Sequence, residues 1–145
     1  MRKLKKMIVT LGLACLLSAS FTTTTYASDM RVLSDTEATP RWSYLQTLGI
    51  DFDINSSGKA NCFSVVVAKD SLLTCKINST LYRLNGGTWE KVTSFTASGE
   101  GVATAVKEIY VKKGYVYVLR SKFMVYNAAG TTLLESHTED YEVEY

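Results

Sequence analysis

The sequence predicts an all-β protein: a single small β-sandwich of about seven antiparallel strands, preceded by an N-terminal signal helix. Three observations lead to this class. Apolar and polar side chains alternate over most of the chain after residue 43, turn residues punctuate these runs at the spacing of a sandwich, and no segment there shows a convincing helical period. Because two one-sided sheets must bury their apolar faces together, a sandwich is the natural arrangement, with a partly open β-barrel as the alternative.

The first 27 residues have the three-part layout of a secretory signal peptide. Four cationic side chains lie between Arg2 and Lys6, an apolar run covers residues 7–21, and Ala27 is the small residue at the expected cut. The apolar run is shorter than the roughly 20 residues of a spanning helix, so a membrane anchor is the weaker alternative. We expect a protein that is secreted or lies on the exterior of the cell envelope, with membrane contact only through the signal peptide before cleavage.

Cleavage changes the charge of the chain. The whole sequence holds 16 Lys and Arg and 14 Asp and Glu, a net charge of +2. The signal peptide carries four of the cationic residues and none of the acidic ones, which leaves 12 against 14 and a mature net charge of −2. The basic balance therefore belongs to the signal peptide. It gives no support for nucleic-acid binding, which concentrates Lys and Arg on one face.

The mature chain divides into an arm and a domain. Residues 28–43 are polar and irregular and contain Pro40, the only proline, so we predict a flexible N-terminal arm there. Residues 44–145 are predicted to form the β-sandwich domain, which is long enough to bury a core. The clearest strand patterns cover residues 48–55, 60–68, 102–111 and 115–126.

The strongest hairpin signal is the Asn-Gly-Gly run at residues 85–87, which lies between two strand-like segments. Two registers are open, because either Asn-Gly or Gly-Gly can form the two-residue loop. The first pairs Tyr82 with Trp89, and the second pairs Leu84 with Trp89.

Two cysteines remain after cleavage, Cys62 and Cys75, and an even count in an exported chain favours a disulfide. Both lie about six residues from Lys69, where the break at residues 69–71 begins, so the two thiols would come level if the flanking strands run back on each other. Such a bridge would stabilise the fold by about 3 kcal/mol through the loop entropy lost by the unfolded chain. Two buried free thiols are the alternative. A zinc site is not expected, since His137 is the only histidine.

One acidic motif has the spacing of a calcium site. Asp51, Asp53 and Asn55 match the opening of an EF-hand loop, but the sixth position is Ser56 and the twelfth is Cys62, where the loop needs Gly and Glu. The motif is therefore interpreted as the polar face of an edge strand.

A catalytic site is not predicted either. His137 lies near Glu135 and Glu139, close to the C-terminus, and we interpret it as part of a solvated surface. Because no nucleophile and base stand out, no catalytic, metal-binding or cofactor-binding residue is assigned, and the chain is predicted not to be an enzyme.

Aromatic residues are the most suggestive feature, with two tryptophans and nine tyrosines in the chain. Tyrosine is amphipathic and is enriched at recognition surfaces. Because they lie in alternating strands, Trp89, Tyr115 and Tyr117 are predicted to fill the core or line strand ends. The possible binding aromatics are Tyr44, Tyr82, Tyr126 and Tyr141. We expect a binding module for an extracellular protein or glycan, with a structural envelope domain, and less favourably a hydrolase, as alternatives.

Residues 113–117, Lys-Gly-Tyr-Val-Tyr, resemble the start of strand F in immunoglobulin-like sandwiches. In that fold a tyrosine closes a corner two residues before an inward position. The resemblance implies that Tyr115 closes the corner and that Tyr117 points inward. The strand-C tryptophan and the B–F disulfide of that fold are missing, so the resemblance supports a sandwich without specifying its topology.

Several short segments also resemble an uncharacterised family of small secreted proteins from Gram-positive bacteria. These segments are residues 58–62, 75–77, 81–84, 87–89, 113–117 and 126–130. Their motifs are structural in character, and the resemblance implies no activity.

Overall fold

A computed structural model describes residues 31–34 and 42–145, with side chains for Arg31 and for residues 42–145. These residues form strands and no helix, which confirms the predicted all-β class. The described part of the chain therefore contains no helix long and apolar enough to cross a membrane. The predicted signal peptide and its helix lie outside the described residues. The strands are β1 (Arg31–Ser34), β2 (Leu45–Ile54), β3 (Lys59–Ala68), β4 (Thr74–Asn85), β5 (Thr88–Glu100), β6 (Val102–Tyr110), β7 (Val116–Tyr126) and β8 (Leu133–Glu144).

The strands form two antiparallel sheets that pack as a sandwich. The first sheet has the order β1-β2-β3-β6, and the second sheet has the order β5-β4-β7-β8. Strands β2, β3 and β6 take the places of A, B and E in an immunoglobulin-type sandwich, while β4, β7 and β8 take those of C, F and G. Strand β5 joins the second sheet, beside β4.

The core lies between the sheets and follows the predicted alternation. Leu48, Ile50 and Phe52 of β2 are all at most 2% exposed. At the centre of this apolar layer three buried serines meet, because Ser121 Oγ lies 2.7 Å from Ser64 Oγ and 2.8 Å from Ser79 Oγ. Their mutual hydrogen bonds satisfy hydroxyl groups that would otherwise be costly to bury.

The predicted disulfide is absent, and both cysteines are free and buried. The Ser64 and Ser79 hydroxyls, 3.3 Å apart, show which positions of β3 and β4 face each other across the core. In that register Cys75 faces Ala68, and Cys62 lies six residues further along, roughly 20 Å away at the usual strand rise. A disulfide needs Cα atoms within about 7 Å. The prediction was wrong because the two strands turn about residues 71 and 72, whereas level thiols need a turn centred on residues 68 and 69, midway between Cys62 and Cys75.

Burial makes both thiols poor nucleophiles. Desolvation raises the pKa of Cys62 to about 12, with a smaller contribution from the negative charge of Asp53. Desolvation also raises the pKa of Cys75, against a hydrogen bond with the backbone of Ala68 that lowers it. Because the thiolate is the reactive form, both sulfurs behave as small apolar core groups.

The tyrosine corner is present at the start of β7, although a different tyrosine closes it. Tyr117 is 1% exposed, and its hydroxyl donates a 2.7 Å hydrogen bond to the carbonyl oxygen of Lys112. Tyr117 therefore both points inward, as predicted, and closes the corner that the resemblance implied for Tyr115. Tyr115 is half-buried beneath the guanidinium of Arg83, whose Cζ lies 4.6 Å from the ring centroid.

Part of the segment expected to be a flexible arm is ordered. Arg31–Ser34 forms the edge strand β1 and pairs with β2. Trp42 is 5% exposed and belongs to the core, so the packed domain begins before residue 44. Four residues are too few for a period-two pattern to be recognised in the sequence. The strand is stabilised by its pairing with the long strand β2, which the local pattern does not predict.

The two sheets are joined at a tight corner between β5 and β6. Strand β5 continues to Glu100, β6 begins at Val102, and Gly101, with a φ of 69°, is the only residue between them. The backbone N–H of Gly101 donates to Leu73 O at 2.7 Å, and Gly101 O accepts from Ala68 N at 2.9 Å. This corner therefore also holds the β3–β4 connection in place.

Candidate functional site

A depression of about 380 Å³ lies on the outer face of the second sheet, close to the β4–β5 hairpin. All four strands of this sheet contribute to it, and Arg31 of β1 reaches it from the edge. Its lining residues are Arg31, Tyr82, Trp89, Val118, Arg120, Asp140 and Glu142.

Strand pairing brings these side chains together. Val118 of β7 lies between Tyr82 of β4 and Glu142 of β8, and side chains at paired positions share a face of the sheet. Val118 is 8% exposed and forms an apolar floor. The depression therefore has an apolar base with polar and aromatic walls, which is the usual composition of a ligand site.

The β4–β5 hairpin places the aromatic side chain of Trp89 at one end of the depression. Its loop is Gly86-Gly87, with φ angles of 56° and 84°, so the second of the two predicted registers holds and Leu84 pairs with Trp89. Two residues with positive φ are typical of a type I′ turn. Trp89 is 46% exposed. Its indole is thus available to a ligand.

An ion pair forms the opposite wall. Arg120 Nε and Nη2 donate to Asp140 Oδ1 and Oδ2 at 2.8 and 2.7 Å, a bidentate geometry. The hydrogen bond to Asp140 raises the pKa of Arg120 above its ordinary value, so the guanidinium stays charged. Arg120 Cζ also lies 5.9 Å from the centroid of the Tyr82 ring, within reach of a cation–π contact.

The lining balances its charges, with two guanidinium groups, Arg31 and Arg120, and two carboxylates, Asp140 and Glu142. A charged ligand would have to compete with the Arg120–Asp140 pair. A neutral hydroxyl can instead accept from a guanidinium and donate to a carboxylate at the same time. The described lining residues include no serine, cysteine or histidine.

The predicted binding tyrosines do not form one cluster. Tyr82 lines the depression, and Tyr126 lies on the same outer face at the far end of β7. Tyr141 packs against the core under Arg31, whose Cζ is 5.2 Å from its ring centroid. Tyr44 is 40% exposed at the start of β2, away from the depression. Their assignment as binding residues stays a prediction.

Sequence reasoning missed Trp89 as a binding residue, because it expected that side chain to fill the core or line a strand end. A signal was present in the pattern from Cys75 to Leu81, because three of its four odd-numbered positions, Cys75, Ile77 and Leu81, are apolar, so the even-numbered positions must face outward. Both possible hairpin registers paired Trp89 with an even-numbered position. Arg120 and Asp140 gave no such signal, since only the pairing of β7 with β8 brings them together.

The remaining polar motifs have structural contacts. Asn55 Oδ1 accepts from the backbone N–H of Ser57 and Lys59, both at 3.0 Å, and so orders the β2–β3 turn. Asp53 accepts a 3.0 Å hydrogen bond from Asn61 on β3. Within the described ranges no group of three or more His, Cys, Asp or Glu side chains could hold a metal ion.

His137 is half-buried, in contrast to the predicted solvated surface. Its Nε2 lies 2.6 Å from Glu139 Oε1, and its ring centroid lies 5.5 Å from that of Trp42. The difference arises because the start of β2 packs along β8. Glu135, on the same strand as His137, accepts hydrogen bonds from backbone N–H groups at the start of β2.

Together these features define a class of protein: a small antiparallel sandwich of immunoglobulin-type strand order, with an aromatic and charge-balanced depression on the outer face of one sheet. Comparison with family models, with curated proteins and with solved structures found no match to this chain. The resemblance to small secreted proteins of Gram-positive bacteria therefore stays a prediction.

Proposed function

We propose that this chain is an exported binding module that holds a neutral glycan on the outer face of its second sheet. The observation that carries the proposal is the half-exposed indole of Trp89, placed across an apolar floor from the bidentate Arg120–Asp140 pair. The apolar face of a sugar ring can stack on the indole, while its hydroxyls replace water on the guanidinium and carboxylate groups.

The charge balance favours a glycan over an ionic ligand. An ionic ligand that displaced Asp140 from Arg120 would break two charge-assisted hydrogen bonds. The hydroxyl groups of a neutral sugar can bind to the same side chains while both of these hydrogen bonds remain. A protein partner is the second candidate, because Trp, Tyr and Arg are the residues that dominate protein interfaces.

Replacing Trp89 tests the proposal. We expect Trp89→Ala to weaken glycan binding by about 10- to 100-fold, since the lost stacking and burial are worth about 1.5–3 kcal/mol. The probe is a glycan array followed by calorimetry with the sugars that bind. Tyr110→Ala is the matched control, because Tyr110 is 72% exposed on the first sheet and should leave the affinity unchanged. An array without any bound glycan, or equal affinities for Trp89→Ala and the unmodified protein, would contradict the proposal.

Export is tested separately, in a secreting bacterial host. Mass spectrometry of the protein in the medium is expected to show a chain that begins after Ala27, as the signal peptide layout predicts. A chain that retains residues 1–27 would contradict export by cleavage.

A further inference from the structure

The outer face of the second sheet continues well beyond the depression. Along β4 and β7 the outward positions pair in rows, with Thr80 opposite Arg120, Asn78 opposite Lys122 and Thr74 opposite Tyr126. Tyr82 lies eight positions after Thr74 along β4. At the usual rise of a strand, the row of Tyr126 therefore lies about 26 Å from the row of Tyr82.

The far end of this face holds a second aromatic contact point. The Lys76 ammonium lies 4.3 Å from the Tyr126 ring centroid, and its Nζ donates to Gly130 O at 3.3 Å. Tyr126 Oη also contacts Met124 Sδ at 3.7 Å. These contacts hold the Tyr126 ring in place. The Tyr126 side chain would therefore lose little conformational freedom when a ligand binds to it.

The surface between the two aromatic ends is mostly polar, and its central strands carry Asn78 and Lys122 there, beside the nearly buried Met124. Outward positions of the flanking strands there carry short hydroxyl side chains, and these are Ser94, Thr96, Ser136 and Thr138. Such a surface cannot enclose a compact ligand. It can form many hydrogen bonds to an extended chain that lies flat along the strands.

We infer that the site takes a linear glycan chain, which runs along β4 and β7 from Trp89 and Tyr82 toward Tyr126, and not a single terminal sugar. This inference rests on the proposed function and deepens it, because it names the form of the ligand. The depression binds one end of the chain, the hydroxyl side chains line its path, and Tyr126 with Lys76 contacts the other end.

The test uses oligomers of β-1,4-linked glucose and of β-1,4-linked N-acetylglucosamine, from two to six units, measured by calorimetry on the full chain. The six-unit oligomer is expected to bind at least tenfold more tightly than the two-unit oligomer. Tyr126→Ala is expected to cost about tenfold for the six-unit oligomer and nothing for the two-unit oligomer, whereas Trp89→Ala weakens both. Tyr110→Ala, a change at an exposed tyrosine on the first sheet, is the control.

The outcomes separate this inference from the proposed function. If short and long oligomers bind equally, or if Tyr126→Ala leaves the six-unit oligomer unaffected, the linear-chain inference fails while the depression remains a glycan site. If neither series binds and the array shows no bound glycan, both the inference and the proposed function fail.

Discussion

Glu135→Ala is expected to lower the free energy of unfolding by about 3 kcal/mol and to expose Trp42 to solvent, because one carboxylate holds the start of β2 against β8. Its two oxygens accept hydrogen bonds from the successive backbone N–H groups of Ser43, Tyr44 and Leu45, at 3.1, 2.7 and 2.8 Å. Lys69 Nζ adds a hydrogen bond to the carbonyl oxygen of Trp42.

Urea denaturation followed by tryptophan fluorescence measures this effect. The background carries Trp89→Phe, so that Trp42 is the only tryptophan and its emission reports on this contact alone. Glu135→Gln keeps an acceptor oxygen and should lose less stability than Glu135→Ala. Glu144→Ala, at the exposed end of β8, should change little. A loss below about 1 kcal/mol for Glu135→Ala, the value of one ordinary hydrogen bond, would show that this carboxylate does not hold β2.

Gly99→Ala is expected to destabilise the protein by about 3 kcal/mol or more, because a Cβ there would lie 2.1 Å from the carbonyl oxygen of Val102. The contact is with backbone, so no side-chain rotation can relieve it. The tight corner at Gly101 would have to open, and with it the hydrogen bonds to Leu73 and Ala68.

Gly87→Ala is the matched control for that steric effect. Gly87 has a φ of 84° but no atom within 4 Å of an added Cβ, so only the left-handed conformation is penalised, by about 1–2 kcal/mol. In thermal unfolding, Gly99→Ala should lower the Tm clearly more than Gly87→Ala does, at about 4–8 °C per kcal/mol for a domain of this size. Equal shifts would argue against the crowded corner.

Local pattern was sufficient to predict the fold class from sequence. The alternation of Leu48, Ile50 and Phe52 follows from the geometry of a single strand, and these side chains are buried as expected. The alignment of one sheet on the other depends on how the chain turns between β3 and β4. Local pattern does not contain that information, and for this reason the pairing of Cys62 with Cys75 was wrong.

The candidate site was predictable only in part, for the same physical reason. Tyr82 is recognisable as an outward aromatic, because its strand alternates clearly. Arg120 and Asp140 become partners only once β7 and β8 pair in one particular register. The edge strand β1 brings Arg31 from outside the predicted domain, so its contribution depends wholly on tertiary structure.

The two buried, unjoined sulfurs have a practical consequence for how the protein folds and how it can be produced. Since no covalent link between Cys62 and Cys75 contributes to the fold, reductants have no cross-link to break between these strands. Folding of the domain therefore does not depend on oxidation of these two thiols, and an expression host needs no oxidising machinery to join them.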